Sequence, residues 1–415
     1  MEFNVKSGLY KGVVSIPASK SDSQRALLLS SMASGKSTLK NVGSSADELA
    51  MLKTIKAFGA NVTISEDNSL VVDGAFDLSN INSIHCGESG LGLRLLTAIS
   101  SLGEKKISLD GEGSLRKRDQ RFFEHFLPKM GVELKSNNGK LPIDVKGPLK
   151  AGEYTVDGSE SSQYISGLLI AFSQVDGLTK LTVENLASRP YVDMTLATLR
   201  QFGVNVKENE TNVFTIVGKQ EIRATTYTID GDWSAASFWL VASALGLDVS
   251  VQGLSMASKQ ADKAMLNALM RANCGIVTDE SGLKIDGSNR KPIDFDATHC
   301  PDLFPALATY AALTTGISKI RGVHRLANKE SDRTKALQEE FEKLGVKITI
   351  DGDEMLVHGS TNILAATVSA HNDHRIAMCL AVAGMASGVT LTVEGAESVA
   401  KSYPNFWKDV ENLFS

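Results

Sequence analysis

A repeat of about 71 residues runs through this chain from end to end, and it restricts the fold more than any other feature. An amphipathic helical stretch, then a glycine, then a β-branched run recurs at Gly59, Gly131, Gly203, Gly275 and Gly345, at intervals of 72, 72, 72 and 70 residues. Before Gly345, Leu337, Phe341 and Leu344 fall at helical spacing, and Val346 follows the glycine. Glycine suits a helix end that closes in the left-handed conformation, since it has no Cβ to clash there. Ser45 and Glu48 form a capping-box pattern at the start of the first such helix.

A second series runs in phase with the first. Polar loops indexed at Ser19, Gly90, Ser161, Asp232, Asp302 and Asp373 stand 71, 71, 71, 70 and 71 residues apart. Each leads into a nearly uncharged helical stretch, and a helix apolar on all sides is buried. Each repeat therefore predicts one buried helix, one amphipathic outer helix and strands between them. Six such α/β units in 415 residues suggest two pseudo-symmetric domains of three units, with a boundary within Thr225–Asp230.

Equivalent units would place the six loops at equivalent points. The start of a buried helix offers unpaired N–H groups and a partial positive charge, which suit anions. The first loop carries Lys20, Ser21 and Arg25, the second Gly90 and Arg94, the third Ser161, Ser162 and Gln163, and the sixth Arg375. Arg116, Lys117, Arg118, Arg333 and Lys401 extend the set. Singly, such residues are usually solvated surface charges. In shared register they read as a site for several anionic groups, held by Arg forks and Lys point charges. Asp302 precedes a buried helix, and Lys329, Glu330 and Arg333 surround Ser331, an N-cap candidate. Glu330 among cations fits either a group that cycles between proton states or a helix-capping residue.

The net charge of −5 argues against a general nucleic-acid binder. Cys86, Cys274, Cys300 and Cys379 form no Cys-x-x-Cys pair and stand at no zinc-ligand spacing with His, so they read as reduced thiols of a cytoplasmic protein. His371, Asp373 and His374 are too tightly spaced to be expected as a metal site. Residues 1–17 hold no signal-peptide core, and Phe238–Leu247 and Ile376–Ala386 are too short or too interrupted to span a bilayer.

The loops together resemble the 5-enolpyruvylshikimate-3-phosphate synthase (EPSP synthase) family. The resemblance is carried by Ser19-Lys20-Ser21 with Arg25, Gly87 to Arg94, Arg118, Ser161-Ser162-Gln163 and Ser188-Arg189-Pro190-Tyr191. It continues through Asp302, Lys329-Glu330-Ser331-Asp332-Arg333, Asn372-Asp373-His374-Arg375 and Lys401. The family fold is an inside-out α/β barrel, the enolpyruvyl transferase fold, with two domains each of three βαβαββ-like units. By that likeness residues 16–228 form one domain, 1–15 with 229–415 form the other, and the active site lies in the cleft between them.

The implied activity is that of a 3-phosphoshikimate 1-carboxyvinyltransferase. It transfers the enolpyruvyl group of phosphoenolpyruvate to the 5-hydroxyl of shikimate 3-phosphate by addition and elimination, in aromatic amino acid biosynthesis, with no cofactor and no metal. Lys20, Arg118, Gln163 and Lys401 are similar to contacts for the phosphoenolpyruvate phosphate. Arg333 and Arg375 are similar to a clamp on its carboxylate, with Gly90 leaving room for the substrate. Ser21, Arg25, Ser161, Ser162, Ser188 and Tyr191 resemble contacts to shikimate 3-phosphate, with Lys20, Gln163, Asp302 and Lys329 beside it. Asp302 resembles the base at the 5-hydroxyl, and Glu330 the acid at the methylene carbon. Lys329 and Lys20 complete the catalytic set.

A monomer acting on small anionic substrates, without a nucleic-acid or membrane partner, is the expected form. The chain departs from the family pattern at Glu88, Leu91, Asp119, Arg325 and Ala327, which bears on phosphoenolpyruvate affinity and on the response to glyphosate. UDP-N-acetylglucosamine enolpyruvyl transferase is the nearest alternative, but residues 111–121 lack the Cys usual in that family. A non-catalytic scaffold of the same fold would be expected to lose Asp302, Lys329 and Glu330, all present here.

Overall fold

Twelve α-helices alternate between two environments along the chain of this computed structural model, which describes all 415 residues. The first six are α1 (Lys20–Met32), α2 (Ala46–Ala57), α3 (Gly90–Ser100), α4 (Arg121–Phe126), α5 (Ser162–Phe172) and α6 (Arg189–Gln201). The others are α7 (Trp233–Ala244), α8 (Met265–Arg271), α9 (Phe304–Ala312), α10 (Arg333–Lys343), α11 (His374–Ser387) and α12 (Phe406–Leu413). The odd-numbered helices follow the polar loops and are buried nearly all round; every residue of α3 and of α9 is buried. The even-numbered helices bury one face only.

The strands complete a βαβαββ unit. In the second repeat Ser83–His85 runs parallel to Ile107–Asp110, which pairs antiparallel with Lys140–Lys146, and Glu133–Asn137 closes the hairpin. The same order holds for the sheets built on Glu153–Asp157 and on Asp294–Asp296. Two strands are exchanged between repeats. Lys11–Ser15 precedes α1 but pairs with Asp248–Gln252, beyond α7. Thr226–Thr228 precedes α7 but pairs with Gly35–Lys40, beyond α1. The last sheet lacks the hairpin, and Glu2–Val5 joins Leu391–Glu394 antiparallel in its place.

The chain divides into two compact units, Ala18–Asp230 and Met1–Pro17 with Gly231–Ser415. In the first, α3 and α5 pack so closely that a Cβ at Gly167 would lie 2.8 Å from the Arg94 carbonyl oxygen and 3.0 Å from Ala98 Cβ. Leu, Ile and Phe side chains of α1, α3 and α5 fill its core, each contributing about 1.5–3 kcal/mol on burial.

The outer helices end largely as the repeat requires. Gly59, Gly131, Gly203 and Gly345 are left-handed, whereas Gly275 is not. In the fourth repeat Asn273 takes that conformation at φ +62°, and Gly275 opens the next strand. Asn reaches the left-handed region at modest cost. Ser45 and Glu48 form a complete capping box. The cap of α10 is Asp332, which accepts from the Lys335 N–H, and not Ser331; the Ser331 hydroxyl donates to Asp373 Oδ2 at 3.1 Å.

Candidate active site

Three loops of the unit Met1–Pro17 with Gly231–Ser415 bring acid and base groups together. The short turn Pro301–Leu303 before α9 carries Asp302, the start of α10 carries Lys329, Glu330 and Arg333, and the start of α11 carries Asp373 and Arg375. In the fifth repeat Leu303 occupies the cap position of α9 and makes no side-chain cap, so Asp302 is not used as a helix cap.

Arg333 is the centre of this cluster and has no solvent exposure. Its Nη1 donates to Asp302 Oδ1 at 2.7 Å, its Nη2 to Glu330 Oε2 at 2.8 Å and Asp373 Oδ1 at 3.3 Å, and its Nε to Asp373 Oδ2 at 2.8 Å. Asp302 also meets Lys329 Nζ at 3.3 Å and Arg375 Nη2 at 3.1 Å. Burial opposes ionisation of Asp302, but Arg375, Lys329 and Arg333 together hold its carboxyl well below the usual range. Burial in turn lowers the Lys329 ammonium, with Asp302 opposing. Asp373 caps α11 by accepting from the Arg375 N–H at 2.9 Å. Lys401 Nζ donates to the Asn372 carbonyl at 2.6 Å. His371 meets Glu340 Oε1, Asp373 holds Arg333, and His374 lies between Arg375 Nη1 at 3.0 Å and Asp373 Oδ1 at 3.7 Å.

A carboxyl that sequence reading passed over belongs beside this group. Asp262 is fully buried, receives a hydrogen bond from the Ser234 hydroxyl, and is pushed up to about 7 by burial and then by Asp302. It lies outside both periodic series, so no pattern marked it. Asp373 was legible as the index of the sixth loop and as part of the Asn372–Arg375 string, but not as a partner of Arg333.

The unit Ala18–Asp230 supplies a second cluster. Arg94 Nη1 donates to Gln163 Oε1 at 2.5 Å and its guanidinium lies over the Tyr164 ring, 4.9 Å from the centroid. A Cβ on Gly90 would stand 2.9 Å from Arg118 Nη1 and 3.3 Å from Arg94 Nη1. Gly90 thus leaves room for two guanidinium tips that converge on the start of α3, where helix N–H groups add positive potential. Lys20 Nζ pairs with Asp47 Oδ2 at 2.9 Å. The Ser161 side chain accepts from the Gln163 N–H at 3.3 Å, and Ser162 is buried. Ser188 stands in the left-handed region at φ +53° just before α6, with Tyr191 in that helix's first turn.

Arg25 is the residue whose surroundings sequence could not show. It is 1% exposed, and it donates to Thr195 Oγ1 at 2.7 Å, the Ser21 carbonyl at 2.7 Å, and Ser166 Oγ and the Tyr191 carbonyl, both at 3.3 Å. Burial lowers its guanidinium to about 10. In this structure it ties α1 to α5 and α6.

Comparison with known proteins bears on the two clusters together. The family model for EPSP synthase (3-phosphoshikimate 1-carboxyvinyltransferase) matches residues 6–410. The chain belongs to the EPSP synthase family. A 3-phosphoshikimate 1-carboxyvinyltransferase of Methanosarcina acetivorans is 38% identical over 425 aligned positions, covering 100% of this chain and 98% of the relative. One of Clostridium kluyveri is 36% identical over 405, covering 97% and 95%. EPSP synthase of Acinetobacter baumannii superposes with a TM-score of 0.82 at 25% identity, covering 100% of this chain and 98% of that one. The enolpyruvyl transferase NikO of Streptomyces tendae shares the fold, with a TM-score of 0.78 at 18% identity over 99% of this chain and 96% of that one.

Three departures from the EPSP synthase pattern now have places. Leu91 is 5% exposed in the first turn of α3 and adds to the core. Arg325 lies partly buried in the turn Val323–Arg325, where burial lowers its guanidinium and Asp302 supports its charge. The Glu88 carboxylate accepts from the backbone N–H of Ser114 at 3.0 Å.

Proposed function

We propose that this member of the EPSP synthase family transfers the enolpyruvyl group of phosphoenolpyruvate to the 5-hydroxyl of shikimate 3-phosphate, releasing phosphate. The observation that supports this most is the convergence of Asp302, Lys329, Glu330, Arg333 and Arg375 from three separate loops. One anionic residue with an adjacent Lys, one further acid and two arginines are what addition and elimination on an enol phosphate requires.

In this reading Asp302 takes the proton of the 5-hydroxyl as its oxygen bonds to C2 of phosphoenolpyruvate. Glu330 delivers a proton to the methylene carbon, giving a tetrahedral intermediate. Glu330, then ionised, takes a proton back from the new methyl group as the C2–O bond to phosphate breaks, which regenerates the double bond, and the proton on Asp302 leaves with phosphate. Asp302 in its present setting is a weak base because three cations hold its charge. A substrate carboxylate engaging Arg333 and Arg375 would share those cations and bring its own negative charge, raising the basicity of Asp302 and the proton affinity of Glu330.

Lys20, Arg118, Gln163 and Lys401 are assigned to the phosphate of phosphoenolpyruvate. Lys20 would then exchange Asp47 for phosphate, and Gln163 is held through its oxygen by Arg94. Ser21, Ser161, Ser162, Ser188 and Tyr191 are assigned to shikimate 3-phosphate. Arg25 is assigned to that substrate's carboxylate, and its four internal hydrogen bonds make it a support for the site as well. The protein acts in this reading as a cytoplasmic monomer without nucleic-acid partners. The net charge of −5 supports the absence of a general nucleic-acid partner and the four buried free cysteines support a cytoplasmic setting. No helix is long and apolar enough to cross a membrane.

The test is release of phosphate from phosphoenolpyruvate, measured with shikimate 3-phosphate and separately with UDP-N-acetylglucosamine. Release only with the first acceptor is expected. Folded protein that releases none with either would end the reading.

A further inference from the structure

Glu88 brings a negative charge into the loop before α3, the helix whose start gathers Arg94 and Arg118. Its carboxylate is committed to the neighbouring loop. Glu88 Oε2 accepts from the Ser114 N–H at 3.0 Å and from the Ser114 hydroxyl at 3.3 Å. The same hydroxyl accepts from Arg118 Nη2 at 3.3 Å. One relay therefore runs from guanidinium to hydroxyl to carboxylate, and bonds aligned head to tail in this way strengthen one another.

The geometry leaves little freedom at either end. Gly113 is left-handed at φ +56°, and a Cβ there would lie 2.3 Å from the Glu88 carboxylate. Backbone contact holds the two loops together: the Glu112 N–H donates to the Gly87 carbonyl at 2.9 Å, and a Cβ on Gly111 would lie 2.6 Å from that oxygen. Arg118 is thus confined on two sides, with Nη1 against Gly90 and Nη2 on Ser114.

We propose that Glu88 is a positioning residue that orients Arg118, through Ser114, toward the phosphate of phosphoenolpyruvate. This rests on the assignment of Arg118 to that phosphate. A carboxylate that merely sat beside an anion site would repel the substrate, and its removal would tighten binding. A positioning carboxylate gives the opposite sign, because its removal releases Ser114 and with it Arg118.

The experiment compares Glu88→Ala, Glu88→Gln, Ser114→Ala and Arg118→Ala by steady-state kinetics in both substrates. Glu88→Ala should raise KM for phosphoenolpyruvate about three- to tenfold, the scale of one lost hydrogen bond, with kcat and KM for shikimate 3-phosphate within about twofold. Glu88→Gln should restore most of the affinity, since its amide oxygen still accepts from the Ser114 N–H. Ser114→Ala should move KM in the same direction as Glu88→Ala, and it carries the test if Glu88→Ala fails to fold. In an Arg118→Ala background, Glu88→Ala should add nothing further. An unchanged or lowered KM in both Glu88→Ala and Ser114→Ala, or a Glu88→Gln as impaired as Glu88→Ala, overturns the positioning role. An unchanged KM in Arg118→Ala overturns the assignment of Arg118 itself, and the proposal with it.

Discussion

Arg333 donates to Asp302 across 2.7 Å from a guanidinium wholly closed to solvent. The same guanidinium holds Glu330 and Asp373, so one side chain fixes three carboxylates from three loops. Lys cannot reproduce that fork. Arg333→Lys should lower stability by about 3–5 kcal/mol, the range for breaking a buried ion pair. It should also reduce kcat/KM for phosphoenolpyruvate by at least about tenfold, one charged hydrogen bond's worth. Urea unfolding and initial rates on the folded fraction check the two effects separately.

Glu330 carries a sharper expectation for rate alone. Its carboxylate meets Arg333 Nη2 at 2.8 Å, and Gln keeps that acceptor while removing the titrating proton. Glu330→Gln should lower kcat by roughly 10²–10⁴, the range for a general acid–base group. A rate near wild type would leave Glu330 with only its role beside Arg333 at the start of α10.

Much of this arrangement is legible in the sequence. Six polar loops in one register marked the starts of six buried helices, because a charge-free helix and its polar lead-in are dictated by burial and capping. The exchange of Lys11–Ser15 and Thr226–Thr228 was not visible from the periodicity. Both strands precede equivalent helices, so the local pattern is the same whichever partner each takes. The hand-over from Gly275 to Asn273 was hidden because both residues tolerate the left-handed conformation. Asp262 and Ser114 were missed because their partners lie 28 and 26 residues away, in the first turn of α7 and in the loop before α3, and only tertiary packing brings them together.

Arg25 shows the same limit in a residue that sequence did mark. Its four hydrogen bonds join Ser21, Ser166, Tyr191 and Thr195, so it belongs as much to the packing of α1, α5 and α6 as to any ligand. Arg25→Lys removes the fork and with it most of the bonds to Thr195, Ser166 and Tyr191, leaving Thr195 Oγ1 to serve both Ser166 and the Tyr191 carbonyl. A loss on the order of 2–4 kcal/mol is expected from a few hydrogen bonds. Ser161→Ala, whose hydroxyl accepts one helix-cap bond, should cost only about 1 kcal/mol. Equal melting shifts for the two variants would count against a structural share for Arg25.

Asp262 ties stability to pH in a direction that can be worked out. Burial is the largest influence on its carboxyl, and Asp302 adds to it, so its folded pKa rises from the ordinary 3.8 to about 7. A carboxyl raised on folding favours the folded state when protonated. That contribution is complete below the unfolded value near 4 and is lost as pH rises through 7, because the folded protein must then hold a buried charge beside Asp302. Asn at this position keeps an acceptor for Ser234 and has no proton to lose. Asp302, the neighbouring carboxyl, is held well below the usual range and stays charged at both pH values, so the change in the difference between the two proteins reports the proton on Asp262. Between pH 5 and pH 8 the stability of Asp262→Asn should gain on wild type by about 2–3 kcal/mol. Urea unfolding of both proteins at the two pH values measures it. A difference that stays constant, or shrinks toward pH 8, would mean that Asp262 stays ionised across this range, with Arg375 outweighing burial and Asp302.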